Sequence, residues 1–136
     1  MSGQPLSIFQ VAGRAMSAQL VRMNTTASNL ANAGGIASSE GAAYRTMKPV
    51  FRTSFDQASG MATVDATQVV TAGEAPTKRY DPGNPMADKD GNVFEAAVDE
   101  TRELVDMMET SRSYQNNVEV MNTAKGLIID TLKLGK

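Results

Sequence analysis

The sequence predicts a mainly α fold in which long N- and C-terminal helices pack as an elongated, coiled-coil-like pair around a small irregular or β insert. Apolar residues recur in steps of three and four near both ends of the 136-residue chain, which places them on one face of a helix. The middle instead holds four of the five prolines. We therefore expect an N-terminal helix in 1–35, a central loop and β-hairpin module in 36–97, and a C-terminal helix in 98–136.

The first helix is predicted from Ile8 to about Ala33. Ser7 and Gln10 have the spacing of a capping box, in which each side chain satisfies a free backbone N–H at the helix start. Gly34 and Gly35 supply a stop, because glycine readily adopts the left-handed conformation that ends helices. Its predicted packing seam consists of Phe9, Met16, Leu20, Met23 and Leu30.

The second helix is predicted from about Glu100 to Leu134. Asp99, Glu100 and Glu103 place negative charge at its start, where the helix dipole favours it. A helix of this length is typical of bundle or coiled-coil packing. Its predicted seam consists of Leu104, Met107, Tyr114, Val118, Met121, Ile128 and Leu132.

The central segment alternates polar and apolar residues in two stretches, Tyr44–Phe55 and Met61–Thr71. This alternation predicts two short strands, with Gly60 at the turn between them. The stretch Tyr80–Val93 is dense in Pro, Gly, Asn and Asp, which predicts turns.

Asparagines lie along both predicted helices. A polar residue near an apolar seam costs stability but can fix register or partner choice. A solvated helix face is the alternative explanation, and the sequence leaves it open. The candidates are Asn24, Asn29 and Asn32 in the first helix and Asn116, Asn117 and Asn122 in the second.

The seams also allow two interpretations. Met and Leu at helical spacing usually indicate a core within one chain. Small residues in the first helix and nine methionines in the chain favour contacts with neighbouring subunits as well, because Met adapts to differently shaped partners.

Composition argues against catalysis. The chain has no Cys or His and a formal net charge of −2, so thiolate and imidazole chemistry and nucleic-acid binding lack support. Asp88 and Asp90 fit a turn better than a calcium loop. The acidic stretch Asp99–Asp106 is interpreted as compensation of the helix dipole. We expect no catalytic, cofactor or metal site, no cofactor, no membrane insertion and no cleaved signal peptide.

Three stretches carry a family resemblance. Arg22–Ala33, with the sequence RMNTTASNLANA, resembles the N-terminal motif of bacterial flagellar rod and hook proteins. Pro82–Val93 and Ser111–Lys125 resemble one short member of that family.

The resemblance implies a structural subunit of the periplasmic rod, the hollow drive shaft of the flagellar basal body, exported by the flagellar type III apparatus. The terminal helices would then form the inner tube layer. It implies as partners other copies of the chain, other rod proteins and the membrane-ring protein at the base. Another tubular assembly protein or a soluble helical-bundle adaptor is the alternative.

Overall fold

The structure is a computed structural model that describes residues 7–135. Within them, two helices flank five strands. In chain order the elements are α1 (Ile8–Ala31), β1 (Ile36–Ala37), β2 (Met47–Asp56), β3 (Met61–Thr71), β4 (Thr77–Tyr80), β5 (Asn92–Glu95) and α2 (Glu100–Leu134).

The prediction of a mainly α fold is wrong. Helices account for 46% of the described chain and strands for 24%, in two antiparallel sheets. β1, β4 and β5 are only two to four residues long. Such short segments carry no readable alternation, and they become strands because partners distant in sequence supply their hydrogen bonds.

α1 begins with the predicted capping box. The Oγ of Ser7 accepts from the backbone N–H of Gln10 at 3.3 Å, and Oε1 of Gln10 accepts from the N–H of Ser7 at 2.9 Å. The helix ends at Ala31, slightly before the predicted end. Gly34 then takes a φ of 71°, a value that favours glycine.

α2 spans the predicted residues and is capped by Asp99, whose Oδ1 accepts from the N–H of Arg102 at 3.1 Å. α1 and α2 are antiparallel, since side chains late in α1 meet side chains early in α2. α2 has 35 residues, against 24 in α1, and is about 52 Å long at 1.5 Å per residue. Its C-terminal part therefore extends beyond the described part of α1.

β2 and β3 form the predicted hairpin, with Gly60 in the turn at a φ of 67°. A bulge interrupts the pairing between Val50 and Phe51. The hairpin packs along α1, where the Arg14 guanidinium donates to Oγ1 of Thr63 and Oδ2 of Asp65, each at 3.4 Å. One face of the hairpin is thus fixed to the first helix.

The second sheet has the strand order β1-β5-β4 and lies between the end of α1 and the start of α2. Its central residue, Val93, is completely buried. The preceding turn confirms the interpretation of Asp88, whose Oδ1 accepts from the N–H groups of Asp90 and Asn92 at 2.9 and 2.8 Å. The buried apolar residues are small: Ala12, Ala18, Ala37, Val93 and Ala96.

Candidate functional site: an exposed helix seam and a buried polar node

The predicted seam residues lie on the helix pair without full burial. Eight are half-buried: Phe9, Met16, Met23, Leu30, Met107, Tyr114, Val118 and Met121. Four are exposed: Leu20, Leu104, Ile128 and Leu132. The fully buried positions of the two helices belong instead to small or polar residues, namely Ala12, Ala18, Thr25, Thr26, Asn29, Glu103 and Thr110.

The C-terminal end of α2 exposes apolar side chains around much of its circumference. We call this group, Leu127, Ile128, Ile129, Leu132 and Leu134, the α2 end patch. Its side chains are exposed by 41% to 88%. Exposed apolar side chains this close together typically mark an interaction surface.

The hairpin has a second exposed apolar surface. Strand alternation places Phe51 and Phe55 on the face opposite to the one that contacts Arg14. Phe55 is 66% exposed, and Val69 on β3 is also exposed. Both surfaces suit a subunit that buries more apolar area when it is assembled.

A group of polar contacts joins α1, β2 and α2. We call this group, Arg22, Asn29, Lys48, Glu103 and Asp106, the polar node. Asn29 is completely buried and Glu103 is 2% exposed. Buried polar groups of this kind require hydrogen-bonding partners, and the node supplies them.

The amide of Asn29 uses its full hydrogen-bonding capacity. Nδ2 donates to the Met47 carbonyl and to Oε2 of Glu103, both at 2.9 Å. Oδ1 accepts from the Met47 N–H at 2.9 Å and from the Tyr44 hydroxyl at 2.8 Å. Two donors and two acceptor positions are all that an Asn side chain offers, so none is left unpaired.

Ion pairs extend the polar node outward from Glu103. The Lys48 ammonium donates to Glu103 at 2.8 Å and to Asp106 at 3.1 Å. The Arg22 guanidinium lies 3.3 Å from Asp106 and 3.4 Å from Glu109. The node therefore alternates in sign from the interior outward.

The node shifts two pKa values. Burial disfavours the charged form of Lys48, but hydrogen bonds and attraction from Glu103 and Asp106 outweigh it and raise the Lys48 pKa above 10.5. Burial likewise disfavours ionised Asp106, but Lys48 and Arg22 outweigh it and lower the pKa of that carboxyl below 3.8. Both groups are thus held in their charged forms.

The six asparagine candidates occupy different surroundings. Only Asn29 lies in the node. Asn32 caps α1, with its Nδ2 donating to the Ser28 carbonyl at 2.8 Å. The others, which make no contact with the node, are the exposed Asn24, Asn116 and Asn122 and the half-buried Asn117.

Sequence reasoning missed the roles of Glu103, Asp106 and Lys48. The acidic stretch is interpreted as compensation of the helix dipole, which accounts for the cap at Asp99. It does not explain why Glu103 is buried and bonded to Asn29 on α1 and Lys48 on β2. One signal for the polar node was available in the sequence. Arg22 and Asn29 are seven residues apart, which places both on one face of α1.

Residues 7–135 contain no group of three or more Asp or Glu side chains that could hold a metal ion. An open cleft of about 810 Å³, lined in part by Lys48 and Glu103 of the node, has both polar and apolar walls and charges of both signs. No helix in this part of the chain is long and apolar enough to cross a membrane.

Two protein families match the chain, one over each of its helical ends. Residues 9–35 match the family described as "Flagella basal body rod protein". Residues 90–134 match the one described as "Flagellar basal body rod FlgEFG protein C-terminal". The two matches cover α1 and α2, the elements that carry the seams.

Curated relatives match over nearly the whole chain. The chain is 46% identical over 134 residues to the flagellar basal-body rod protein FlgC of Salmonella typhimurium, covering 96% of this chain and 98% of that protein. It is 43% identical over 132 residues to FlgC of Escherichia coli O6:H1 and 41% identical over 131 residues to FlgC of Yersinia enterocolitica, with the same coverage.

Proposed function

Because the chain belongs to the FlgC family of flagellar basal-body rod proteins, we propose that its terminal helices build the rod wall by packing against neighbouring subunits. The chain is a structural subunit of the flagellar basal body and assembles there with other rod proteins. A contact between different surfaces of successive copies extends into a helical filament when the rotation between copies does not close into a ring. That geometry suits a hollow drive shaft that transmits torque.

In the proposed rod, each part of the chain has a defined position. Segments 1–35 and 98–136 form the inner tube layer, and the 36–97 module lies further out. The antiparallel contact of α1 with α2 supports this division, as does the hairpin packed along α1. Phe51 and Phe55 then face a neighbouring subunit.

The proposed rod subunit has assembly partners and an export route. The partners are further copies of this chain, the other rod proteins and the membrane-ring protein at the base of the rod. The route is the flagellar type III export apparatus, which delivers the chain to the periplasm. A core of small residues with no disulfide keeps the barrier to unfolding before export low. A catalytic role forms no part of this function.

The α2 end patch is the observation that carries the assembly proposal. Five aliphatic side chains within one helix end are exposed in the isolated chain. Complete burial of a fully exposed Leu or Ile contributes about 1.5–3 kcal/mol, and each of these side chains would gain the share that corresponds to its remaining exposure. Exposing them without a partner would instead favour aggregation.

Complementation of a strain that lacks its own copy of the protein tests the proposal. We expect Leu132→Asp, in the α2 end patch, to abolish swimming and to leave basal bodies without complete rods in electron micrographs. Leu30→Asp and Met121→Asp, on the half-buried seam, should also block assembly. The matched control is Thr123→Asp, at an exposed polar position of the same helix. Normal swimming with Leu132→Asp would contradict the proposal.

A further inference from the structure

We propose that Asn29, with Glu103 and Lys48, fixes the axial register of α1 against α2, so that the helix pair and the hairpin lock together in a single stagger. These three are positioning residues. This inference concerns the folded chain itself and does not depend on the proposed assembly contacts.

The apolar seams cannot define the register alone. Phe9, Met16, Met23 and Leu30 repeat every seven residues, so sliding α1 by one repeat opposes similar side chains again. Methionine also adapts to altered neighbours. Apolar contact therefore favours pairing of the helices but discriminates poorly between staggers.

The hydroxyls of two buried helix threonines, Thr25 and Thr110, do not supply the missing information. Oγ1 of Thr25 donates to the Val21 carbonyl at 2.8 Å, and Oγ1 of Thr110 donates to the Asp106 carbonyl at 2.6 Å. Both bonds stay within one helix, four residues back. A change of stagger would leave them intact, so they are neutral to register.

The bonds of Asn29 are sensitive to register. Its amide joins the start of β2, through both polar groups of the Met47 backbone, to Glu103 on α2. A slip of one seven-residue repeat is about 10.5 Å at 1.5 Å per residue, far beyond hydrogen-bond reach. Such a slip would leave Glu103 buried without Asn29 and separate it from Lys48 on the hairpin. The cost of those unpaired groups selects one stagger.

The chemistry requires an amide of this length. Asn29 donates to the Met47 carbonyl and to Glu103 and accepts from the Met47 N–H and the Tyr44 hydroxyl. Only a primary amide offers two donors and two acceptor positions at once. Aspartate cannot donate, and leucine can do neither. Glutamine has the right groups, but an extra methylene displaces them.

Cysteine cross-linking reads the register directly, because the chain has no Cys. Asn29 meets Glu103, and stepping two seven-residue repeats back along α1 and forward along α2 places Ala15 opposite Asn117. The native pair is Ala15→Cys with Asn117→Cys. The slipped pair is Ala15→Cys with Ala124→Cys, one seven-residue repeat further along α2. Yields are compared in purified full-length chain under mild oxidation.

The parent chain should favour the native pair. In the variant Asn29→Leu, Lys48→Met, Glu103→Met, we expect the ratio of native to slipped cross-link to fall about tenfold, since the buried bonds that discriminate between staggers are gone. The matched control is Arg14→Met, which removes the peripheral contact with Asp65 and should leave the ratio unchanged.

Circular dichroism establishes that the triple variant remains helical. If it does not, the same ratio is measured in Asn29→Gln, where the displaced amide should also lower it. A folded variant of either kind that keeps the parental ratio would overturn the proposal. An equal fall in the Arg14→Met control would also overturn it, since the register would then depend on packing in general.

Discussion

The Asn29 amide donates to the Glu103 carboxylate over 2.9 Å, in the buried contact between α1 and α2. Each residue also holds the start of the hairpin, Asn29 through the Met47 backbone and Glu103 through the Lys48 ammonium. One pair of side chains thus ties together the three longest parts of the fold. This arrangement makes the node the place where small chemical changes should have large effects.

Replacing Asn29 by Asp should destabilise the chain by about 3 kcal/mol or more, because a second carboxylate then faces Glu103 and the Met47 carbonyl without a proton to donate. Urea unfolding followed by circular dichroism measures the loss. The same change at the exposed Asn24 should stay within about 0.5 kcal/mol. Equal effects at the two positions would show that the Asn29 contacts are unimportant.

Lys48→Met should cost about 3–5 kcal/mol, the usual effect of leaving a buried charge without its partner. Glu103 keeps only the Asn29 contact in this variant. Adding Glu103→Met should recover part of that loss, since the unpaired charge is then gone. Lys133→Met, which removes an exposed pair with Asp130, is the control. The idea fails if the double variant is less stable than Lys48→Met alone.

The node also predicts a pH dependence. Lys48 and Arg22 hold the pKa of Asp106 below 3.8, so its stabilising contribution is complete above that value and disappears as the pH falls through the folded-state pKa. The raised pKa of Lys48 adds a contribution that is lost only in strong alkali. The difference in unfolding free energy between the parent and Asp106→Asn should therefore shrink from pH 7 to pH 3. A constant difference would contradict this account.

Two glycines should respond to alanine in opposite directions. A Cβ at Gly73 would lie 2.6 Å from the Thr46 Cβ, so Gly73→Ala must displace the β2 entry and lower the melting temperature. Gly13 in α1 has nothing within 4 Å of an added Cβ. Gly13→Ala should raise stability by about 0.5–1 kcal/mol through helix propensity. Thermal unfolding of both variants checks the prediction.

Much of this fold could be predicted from local signals. The capping box at Ser7, the acidic start of α2 and the glycine turn at Gly60 each act within a few residues of chain. Those signals correctly placed both helices and the hairpin. The three-stranded sheet could not be predicted, because the pairing of Ile36 with Glu95 depends on residues far apart in sequence.

Only part of the polar node could be predicted from the sequence. Asn29 could be singled out as a polar residue near a seam, but its partners come from β2 and α2. Glu103 resembles any acidic residue in the first turn of a helix, and nothing nearby in sequence marks it as buried. Its role depends on the antiparallel packing, which only the folded chain brings about.

The proposed assembly depends on burial of the α2 end patch in the assembled rod. The thiol of Leu132→Cys, the only one in the chain, reports this through its rate of maleimide labelling. We expect fast labelling in the free chain and strong protection in isolated basal bodies from a motile strain, while Asp90→Cys on the exposed turn labels in both. Equal labelling of Leu132→Cys in the free chain and in the rod would show that assembly does not bury the α2 end patch.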